Sequence, residues 1–280
     1  ARDAGSLTWL TPPPPGALAQ ARELLQALGA LDAAGTATAH GRELLGIGAH
    51  PRLAHLMLGA KLAGVGGTGC ALAAVLGERD LLRGRPGDRD SDVRTRLEVL
   101  ARDPDVAERE DVDRTALRQV RRSAETYARQ LSLHPSALVI EPGETGWLLA
   151  LAWPDRIGRA REPGSGRYLL SNGRGAFFTG PQSLARSEYL VVPELDGSEK
   201  EARIHLAAPL TAADLEAHLG DSIVTSAEVR WDSRERAVTA RRQRRLGALV
   251  LSDEPRTDAD PGQVTGALLA GIREMGLAAL

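Results

Sequence analysis

A glycine-rich stretch is the first feature of this 280-residue sequence that could support chemistry. The stretch GVGGTGC, residues 64–70, resembles a phosphate-binding loop, in which glycines precede Lys and then Ser or Thr. Gly64 and Gly69 have the required spacing, but Cys70 and Ala71 stand where Lys and the hydroxyl residue are needed. Because that lysine contacts the phosphates and that hydroxyl holds magnesium, we predict a flexible connection between helices instead of a nucleotide site. A residual anion site at the start of the following helix is the alternative.

Other candidates for catalysis or metal binding do not form a recognisable site. His50 and His55 are five residues apart, a spacing unsuited to two ligands on one helical face, and no acidic motif follows them. The segment PGSGRY lacks the complete G-x-S-x-G motif of a nucleophile elbow. Cys70 is the only cysteine, so it forms no disulfide within the chain. We therefore predict no catalytic residue, no metal ligand and no cofactor held by this chain.

Arginine clusters are better suited to chemistry, because guanidinium groups bind phosphates. In DRTALRQVRRSAETYARQL, apolar residues at helical spacing form one stripe and five arginines lie opposite. Another arginine follows the hairpin signal Asn172-Gly173, and RRQRR places four arginines in five residues. The candidate nucleic-acid-binding residues are Arg114, Arg118, Arg121, Arg122, Arg129, Arg174, Arg241, Arg242, Arg244 and Arg245. Each cluster has the alternative of a solvated surface.

Composition limits the class of protein. Hydrophobic residues make up 42% and charged residues 26%, which is typical of a soluble globular protein with a sizeable core. The formal net charge is -2, and Lys61 and Lys200 are the only lysines. No apolar run reaches membrane-spanning length, and one cysteine fits a reducing compartment, so we expect a cytoplasmic protein without a membrane partner. The chain starts at Ala1 and stops within an apolar helical pattern, so we expect a piece of a longer protein.

The elements that would position these arginines change type along the chain. Three short helices and a turn at residues 32–35 outline a winged helix, and further helical patterns continue to about residue 132. Short strands follow, including EYLVVPELDG, and EARIHLAAPL, which alternates Ala202, Ile204 and Leu206 inward with Arg203 and His205 outward. A capped helix, TAADLEAHLG, then precedes two strands around a turn. About five strands with one interposed helix suit a small Greek-key barrel of OB type.

Several unrelated segments together resemble one protein family. They include HPRLAHLML, LGERDLL, PDRIGRAR with YLLSNGRGA, and RLGALVL, in the family's order and covering most of the chain. The family is the HrpB-type DEAH-box ATP-dependent RNA helicases of bacteria. The resemblance implies a multidomain α+β fold: a winged helix at 1–60, a helical ratchet-like bundle at 61–140, a small OB-like β-barrel domain at 141–255, and the start of a truncated C-terminal region at 256–280. It also implies that RecA-like motor domains, which use ATP and Mg²⁺, belong to the full-length protein.

The leading hypothesis is an accessory C-terminal region of an RNA helicase, contributing to a channel for single-stranded RNA. Arginines that contact phosphates would give weak, sequence-tolerant and salt-sensitive binding, with the motor domains of the same polypeptide as the other partner. Without the motor, the chain itself is expected to have no ATPase activity. One alternative is a docking module with little RNA contact, favoured by the near-zero net charge. Another alternative is a winged-helix DNA-binding regulator, although its helix after Thr38 offers mainly His40 and Arg42.

Overall fold

Helices occupy the first half of the chain in the computed structural model, which describes residues 7–84, 89–102, 111–134, 139–197 and 201–275. The described α-helices up to residue 152 are α1 (Pro15–Ala27), α2 (Ala39–Ile47), α3 (Pro51–Leu62), α4 (Gly66–Gly77), α5 (Val93–Ala101), α6 (Arg114–Gln130) and α7 (Thr145–Ala152). The Thr38 side chain accepts a hydrogen bond from the Gly41 amide at 2.9 Å and so caps α2. Such a cap satisfies a backbone donor that the first helical turn leaves unpaired.

The turn between α1 and α2 is short and hydrogen-bonded. Leu31 and Ala37 form an isolated antiparallel bridge, and the Thr36 amide donates to Asp32 Oδ1 at 2.8 Å. The turn predicted at residues 32–35 is therefore confirmed. α2 then packs on α3 through buried Leu44. The term winged helix for residues 1–60 stays a prediction.

The glycine-rich stretch 64–70 is mostly the beginning of a buried helix. α4 starts at Gly66, and its residues from Gly66 to Val75 are all buried. A Cβ on Gly69 would lie 2.4 Å from the Cβ of Ala60 in α3, so glycine is what allows α3 and α4 to cross closely. The prediction of a flexible connection is wrong for residues 66–70, because these residues belong to the buried helix α4 and Gly69 lies in its contact with α3. The turn itself is confined to residues 63–65.

A closed barrel of five strands follows α7. Its strands are β1 (Ile157–Ala160), β2 (Arg167–Leu170), β3 (Gly175–Phe177), β4 (Tyr189–Leu195) and β5 (Glu201–Leu210). Their spatial order is β1-β2-β3-β5-β4, with β3 and β5 parallel and the other pairs antiparallel. The hairpin predicted at residues 172–173 joins β2 to β3 and is confirmed. Along β5, Ala202, Ile204 and Leu206 are buried and Arg203 is exposed, as the alternation predicted.

The strands after the barrel form a sheet of their own. Helix α8 (Ala212–Leu219) has a capping box between Thr211 and Asp214. Strands β6 (Val224–Asp232), β7 (Ala237–Leu246) and β8 (Leu249–Pro255) then form an antiparallel sheet in the order β6-β7-β8. The predicted pair of strands is therefore a trio, and α8 follows the barrel instead of interrupting it. Helix α9 (Pro261–Met275) packs on β6.

The turn between β7 and β8 fastens this sheet to the barrel. Gly247 has a φ of 56°, and a Cβ there would lie 2.3 Å from the Ser171 carbonyl oxygen. The neighbouring Ala248 amide donates to that same oxygen at 2.8 Å. Leu246 and Leu249 are buried in the main core, which also contains α3, α4, α6 and α7. The barrel interior has a separate core around Tyr168 and Leu190.

Candidate nucleic-acid interface

Helix α6 presents one apolar side to the bundle and one arginine-rich side to solvent. Asp113 caps the helix by accepting from the Thr115 and Ala116 amides at 2.9 and 3.1 Å. Leu117 and Val120 are buried, and the helix packs against α4. The exposed arginines of α6 are Arg114, Arg118, Arg122 and Arg129. The amphipathic helix predicted from the sequence is therefore confirmed in this respect.

The α6 arginines differ in their partners. The Arg129 guanidinium donates to Thr126 Oγ1 at 3.1 Å, and Arg118 Nε donates to the Arg114 carbonyl oxygen at 3.3 Å. Among the described residues, no carboxylate forms an ion pair with the four exposed arginines. Arg121 is half-buried, and its Nη2 donates to the Arg102 carbonyl oxygen at 2.7 Å, which ties α6 to the end of α5. Arg121 therefore has a structural contact that the sequence did not predict.

The four arginines of RRQRR lie on β7, and three of them pair with carboxylates of the same chain. Arg244 makes a two-pronged contact with Glu216 of α8, with both N–O distances at 2.7 Å. Both groups are more than a third exposed, so solvent screens their attraction and the pair adds little to stability. The other contacts of the run are Arg241 to Asp253 at 2.6 Å, Arg242 to Asp258 at 3.9 Å, and Arg245 to Gln243 at 3.1 Å. Charge crowding in this segment is therefore relieved within the protein.

Arg174 lies apart from both clusters, in a cleft of about 970 Å³ between α1, the start of α3, residues 153–156 and the β2–β3 turn. The described residues that line the cleft include none from α6 or β7. The structure therefore divides the ten predicted arginines among three places: helix α6, strand β7 and this cleft.

The cleft also contains arginines that the sequence did not single out. Arg52 donates to both oxygens of Asp155 at 2.7 and 3.0 Å, and its guanidinium lies 5.7 Å from the centroid of the Trp153 ring. Arg156 donates to the Pro193 carbonyl oxygen at 2.9 Å. Trp153, Asp155 and Arg156 all belong to the segment WPDRI. Short-range sequence signals give no indication that Arg52, about a hundred positions earlier, contacts this segment.

Burial and neighbouring charges lower the pKa of two groups that line the cleft, Arg156 and His50. Burial lowers the pKa of Arg156 from its usual range, and the Arg52 and Arg174 charges act in the same direction, while Asp155 opposes them. Burial, followed by the charges of Arg52 and Arg156, lowers the pKa of His50. The His50 ring is therefore less readily protonated than a solvated histidine.

The glycine-rich stretch 64–70 does not form a phosphate-binding loop, and no cluster of metal ligands lies within the described residues. Gly66 is buried beside Leu133 and Gly69 against α3, and Cys70 occupies the position where a phosphate-binding loop has lysine. Burial raises the pKa of the Cys70 thiol to about 12, which keeps it protonated and unreactive. Within the described ranges, no group of three or more His, Cys, Asp or Glu residues could hold a metal. None of the helices described has the length and apolar composition needed to cross a membrane.

Similarity to known proteins covers almost the whole chain. The family "ATP-dependent RNA helicase HrpB, connector region" matches residues 222–256, the segment that contains β6, β7 and β8. The chain is 30% identical over 283 residues to the ATP-dependent RNA helicase HrpB of Escherichia coli (strain K12). That match covers 99% of this chain and 31% of the relative, so the chain spans under a third of the relative's length.

Two crystal structures resemble the fold. The E. coli DExH-box NTPase HrpB matches with a TM-score of 0.73 and 30% identity, covering 99% of this chain and 31% of the other. The Escherichia coli DEAH/RHA helicase HrpB matches with a TM-score of 0.69 and 26% identity, covering 100% of this chain and 32% of the other. The five-stranded barrel, the separate sheet and the helices therefore occur in an arrangement similar to that of these proteins.

Proposed function

Because this chain belongs to the HrpB-type family of ATP-dependent RNA helicases, we propose that it is the family's accessory C-terminal region and forms part of a channel for single-stranded RNA. The resemblance predicted from the sequence motifs is confirmed by these matches. In this proposal, RecA-like motor domains elsewhere in the full-length protein bind ATP and Mg²⁺ and supply the movement. The chain's own residues contact the strand and dock against the motor in the cytoplasm.

Within this proposal the predicted units have separate roles. Residues 1–60, with α1 to α3 and the bridged turn, serve as the winged helix, and residues 61–140 serve as the ratchet-like bundle. The closed barrel within 141–255 takes the OB-like role. Residues from 256 onward, which include α9, begin the C-terminal region. Arg174, Arg241, Arg242, Arg244 and Arg245 remain proposed RNA contacts, as does Arg121.

The observation that carries the proposal is the exposed arginine face of α6. Four exposed guanidinium groups lie on a helix whose only carboxylate is Glu125. A face of this kind neutralises phosphates without reading bases, because phosphate contacts do not distinguish sequence. Each neutralised phosphate of a single strand contributes about -0.7 to the slope of log affinity against log salt concentration. Binding by this face is therefore sequence-tolerant and falls steeply as salt rises.

Fluorescence anisotropy with a labelled single-stranded RNA at several salt concentrations tests the proposal. One variant replaces the four exposed α6 arginines by glutamine: R114Q, R118Q, R122Q and R129Q. A control of equal net charge replaces four exposed arginines elsewhere: R42Q, R203Q, R234Q and R273Q. We expect the α6 variant to lose up to about 3 units of salt slope and most of its affinity, whereas the control changes little. Equal behaviour of the two variants would refute the α6 contact.

A second candidate function is a docking module with little RNA contact. The observation in its favour is that Arg241, Arg242 and Arg244 are already paired with carboxylates of the chain. RNA would have to compete with Asp253, Asp258 and Glu216 for these groups. If wild-type protein fails to bind RNA even at low salt, the docking role is the better description.

A further inference from the structure

The cleft that contains Arg174 has two chemically different walls. One wall consists of the start of α3, residues 153–156 and the β2–β3 turn, and it carries the guanidinium groups of Arg52, Arg156 and Arg174. The other wall is contributed by α1, through the apolar Ala17, Ala21, Leu24 and Ala27 together with Gln20 and Glu23. At about 970 Å³ the volume is sufficient for a nucleotide-sized ligand.

Positive charge accumulates on the first wall. Among the residues that the structure describes, Asp155 is the one carboxylate whose charge shifts the pKa of Arg156, and both of its oxygens accept hydrogen bonds from Arg52. Arg156 and Arg174 add two further positive charges, and their repulsion contributes to the lowered pKa of Arg156. Glu23 and Glu194 also line the cleft, but neither figures among the charges acting on Arg156. An anion placed between Arg156 and Arg174 would relieve this repulsion.

The second wall supplies apolar surface. None of the residues of α1 is buried, although the helix runs for 13 residues and contains Leu24 and Leu25. The alanines and leucine that face the cleft would be covered by a flat ring lying against them. A nucleotide combines such a ring with a phosphate, so its two parts match the two walls.

We propose that this cleft binds a nucleotide unit, with its phosphate between Arg156 and Arg174 and its base against α1. This inference rests on the proposed function, because the nucleotide unit is taken to be part of the bound RNA strand. A free nucleotide carries the same phosphate and base. Arginine suits this role because its planar fork can donate two parallel hydrogen bonds to phosphate. Arg52 has a positioning role, since it holds Asp155 beside Arg156.

The first test uses the variant Arg156→Gln and the control Arg203→Gln. Arg203 is exposed on β5 and lies outside the cleft lining, so its replacement changes net charge equally. In RNA anisotropy titrations we expect Arg156→Gln to bind about 10-fold more weakly and to lose about 0.7 unit of salt slope. Circular dichroism melting establishes that the variant is folded, because Arg156 also donates to the Pro193 carbonyl oxygen.

A second test uses the unaltered protein and therefore does not depend on folding of a variant. Arginines are modified with phenylglyoxal in the presence and absence of RNA, and the modification of each peptide is measured by mass spectrometry. We expect RNA to protect Arg156 and Arg174 at least several-fold and to leave Arg203 unprotected. Adenosine monophosphate at millimolar concentration, in place of RNA, shows whether a free nucleotide also occupies the cleft; protection by either probe supports the site.

The outcomes separate this inference from the function on which it rests. If RNA binds through α6 but Arg156 is neither protected nor needed for affinity, and adenosine monophosphate gives no protection, the cleft site is refuted and the proposed function stands. If neither RNA nor adenosine monophosphate protects the cleft and no RNA binding is found, both proposals are refuted.

Discussion

Replacing Gly69 by alanine tests why this chain carries a glycine-rich stretch at all. The added Cβ would lie 2.4 Å from the Cβ of Ala60, whereas carbon atoms in contact are normally about 3.5–4.0 Å apart. Ala60 is fully buried on α3, so neither methyl group can turn into solvent. We therefore expect the substitution to push α3 and α4 apart.

The magnitude combines two opposing terms. Overpacking a core by a methyl group typically costs about 1–3 kcal/mol. Exchanging glycine for alanine within a helix returns up to about 1 kcal/mol. Gly69→Ala should therefore lower the free energy of unfolding by about 1 kcal/mol. Ala60→Gly alone should cost about 2 kcal/mol, from a lost buried methyl group and the poorer helix propensity of glycine.

The double variant shows whether the overlap of the two methyl groups causes the loss of stability. With both substitutions, the methyl group moves from α3 to α4, the overlap disappears and the propensity terms cancel. We expect its stability to lie within about 1 kcal/mol of wild type, although the single variants sum to about 3 kcal/mol. The resulting coupling of about 2 kcal/mol lies within the range typical of residues in contact.

Urea denaturation followed by circular dichroism measures these differences, provided that the four proteins share one m-value. Gly46→Ala is the control, because Gly46 lies in α2 and a Cβ there has nothing within 4 Å. It should be neutral or slightly stabilising. A Gly69→Ala protein as stable as wild type, or a double variant as unstable as the sum of the single ones, would refute the role of Gly69 in helix packing.

Three further predictions follow from other contacts. Burial and the charge of His40 lower the pKa of His55 from 6.5 to about 4, so folding favours the neutral ring. The contribution of His55 to the free energy of unfolding should therefore be complete above pH 6.5. It should fall by up to about 3 kcal/mol as the pH decreases toward 4. His55→Leu should flatten this dependence in urea titrations at each pH, and an unchanged slope would refute it. Asp155→Asn leaves the buried Arg52 without its carboxylate and should lower the free energy of unfolding by about 2 kcal/mol. This loss is below the usual range for a buried pair because Asp155 is 40% exposed. A loss below about 0.5 kcal/mol, which is typical of a surface pair, would contradict the prediction. Gly247→Ala should lower the free energy of unfolding by about 2–3 kcal/mol, since the Cβ would meet the Ser171 carbonyl oxygen and φ is positive. Amide hydrogen exchange should become faster in the β7–β8 turn. Unchanged exchange there would show that this turn does not fasten the sheet to the barrel.

Local sequence signals predicted several elements correctly. The period of apolar residues predicts α6, since it depends on residues within a few positions of each other. Asn172-Gly173 predicts its hairpin because a tight turn needs its own residues only. The alternation along β5 predicts which side chains are buried, because side chains of a strand point to opposite faces in turn.

The partners of the arginines could not be predicted in this way. Arg241 meets Asp253 because of the register between β7 and β8, and Arg244 meets Glu216 because α8 lies beside that strand. The sequence shows a run of charges but not the distant carboxylates that match them. The division of strands between a closed barrel and a separate sheet likewise depends on pairings between distant segments.

The sequence by itself determined the kinds of elements, the arginine face of α6, the lack of a phosphate-binding loop at residues 64–70 and the resemblance to one helicase family. Only the tertiary structure decided that Gly69 of that stretch packs against Ala60, and that Arg52 and Arg156 join Arg174 in one cleft. The physical reason is the separation along the chain of the residues that interact. Helix caps, turns and periodic burial arise from neighbours along the chain, whereas a helix crossing or a cluster of charges depends on segments that folding brings together.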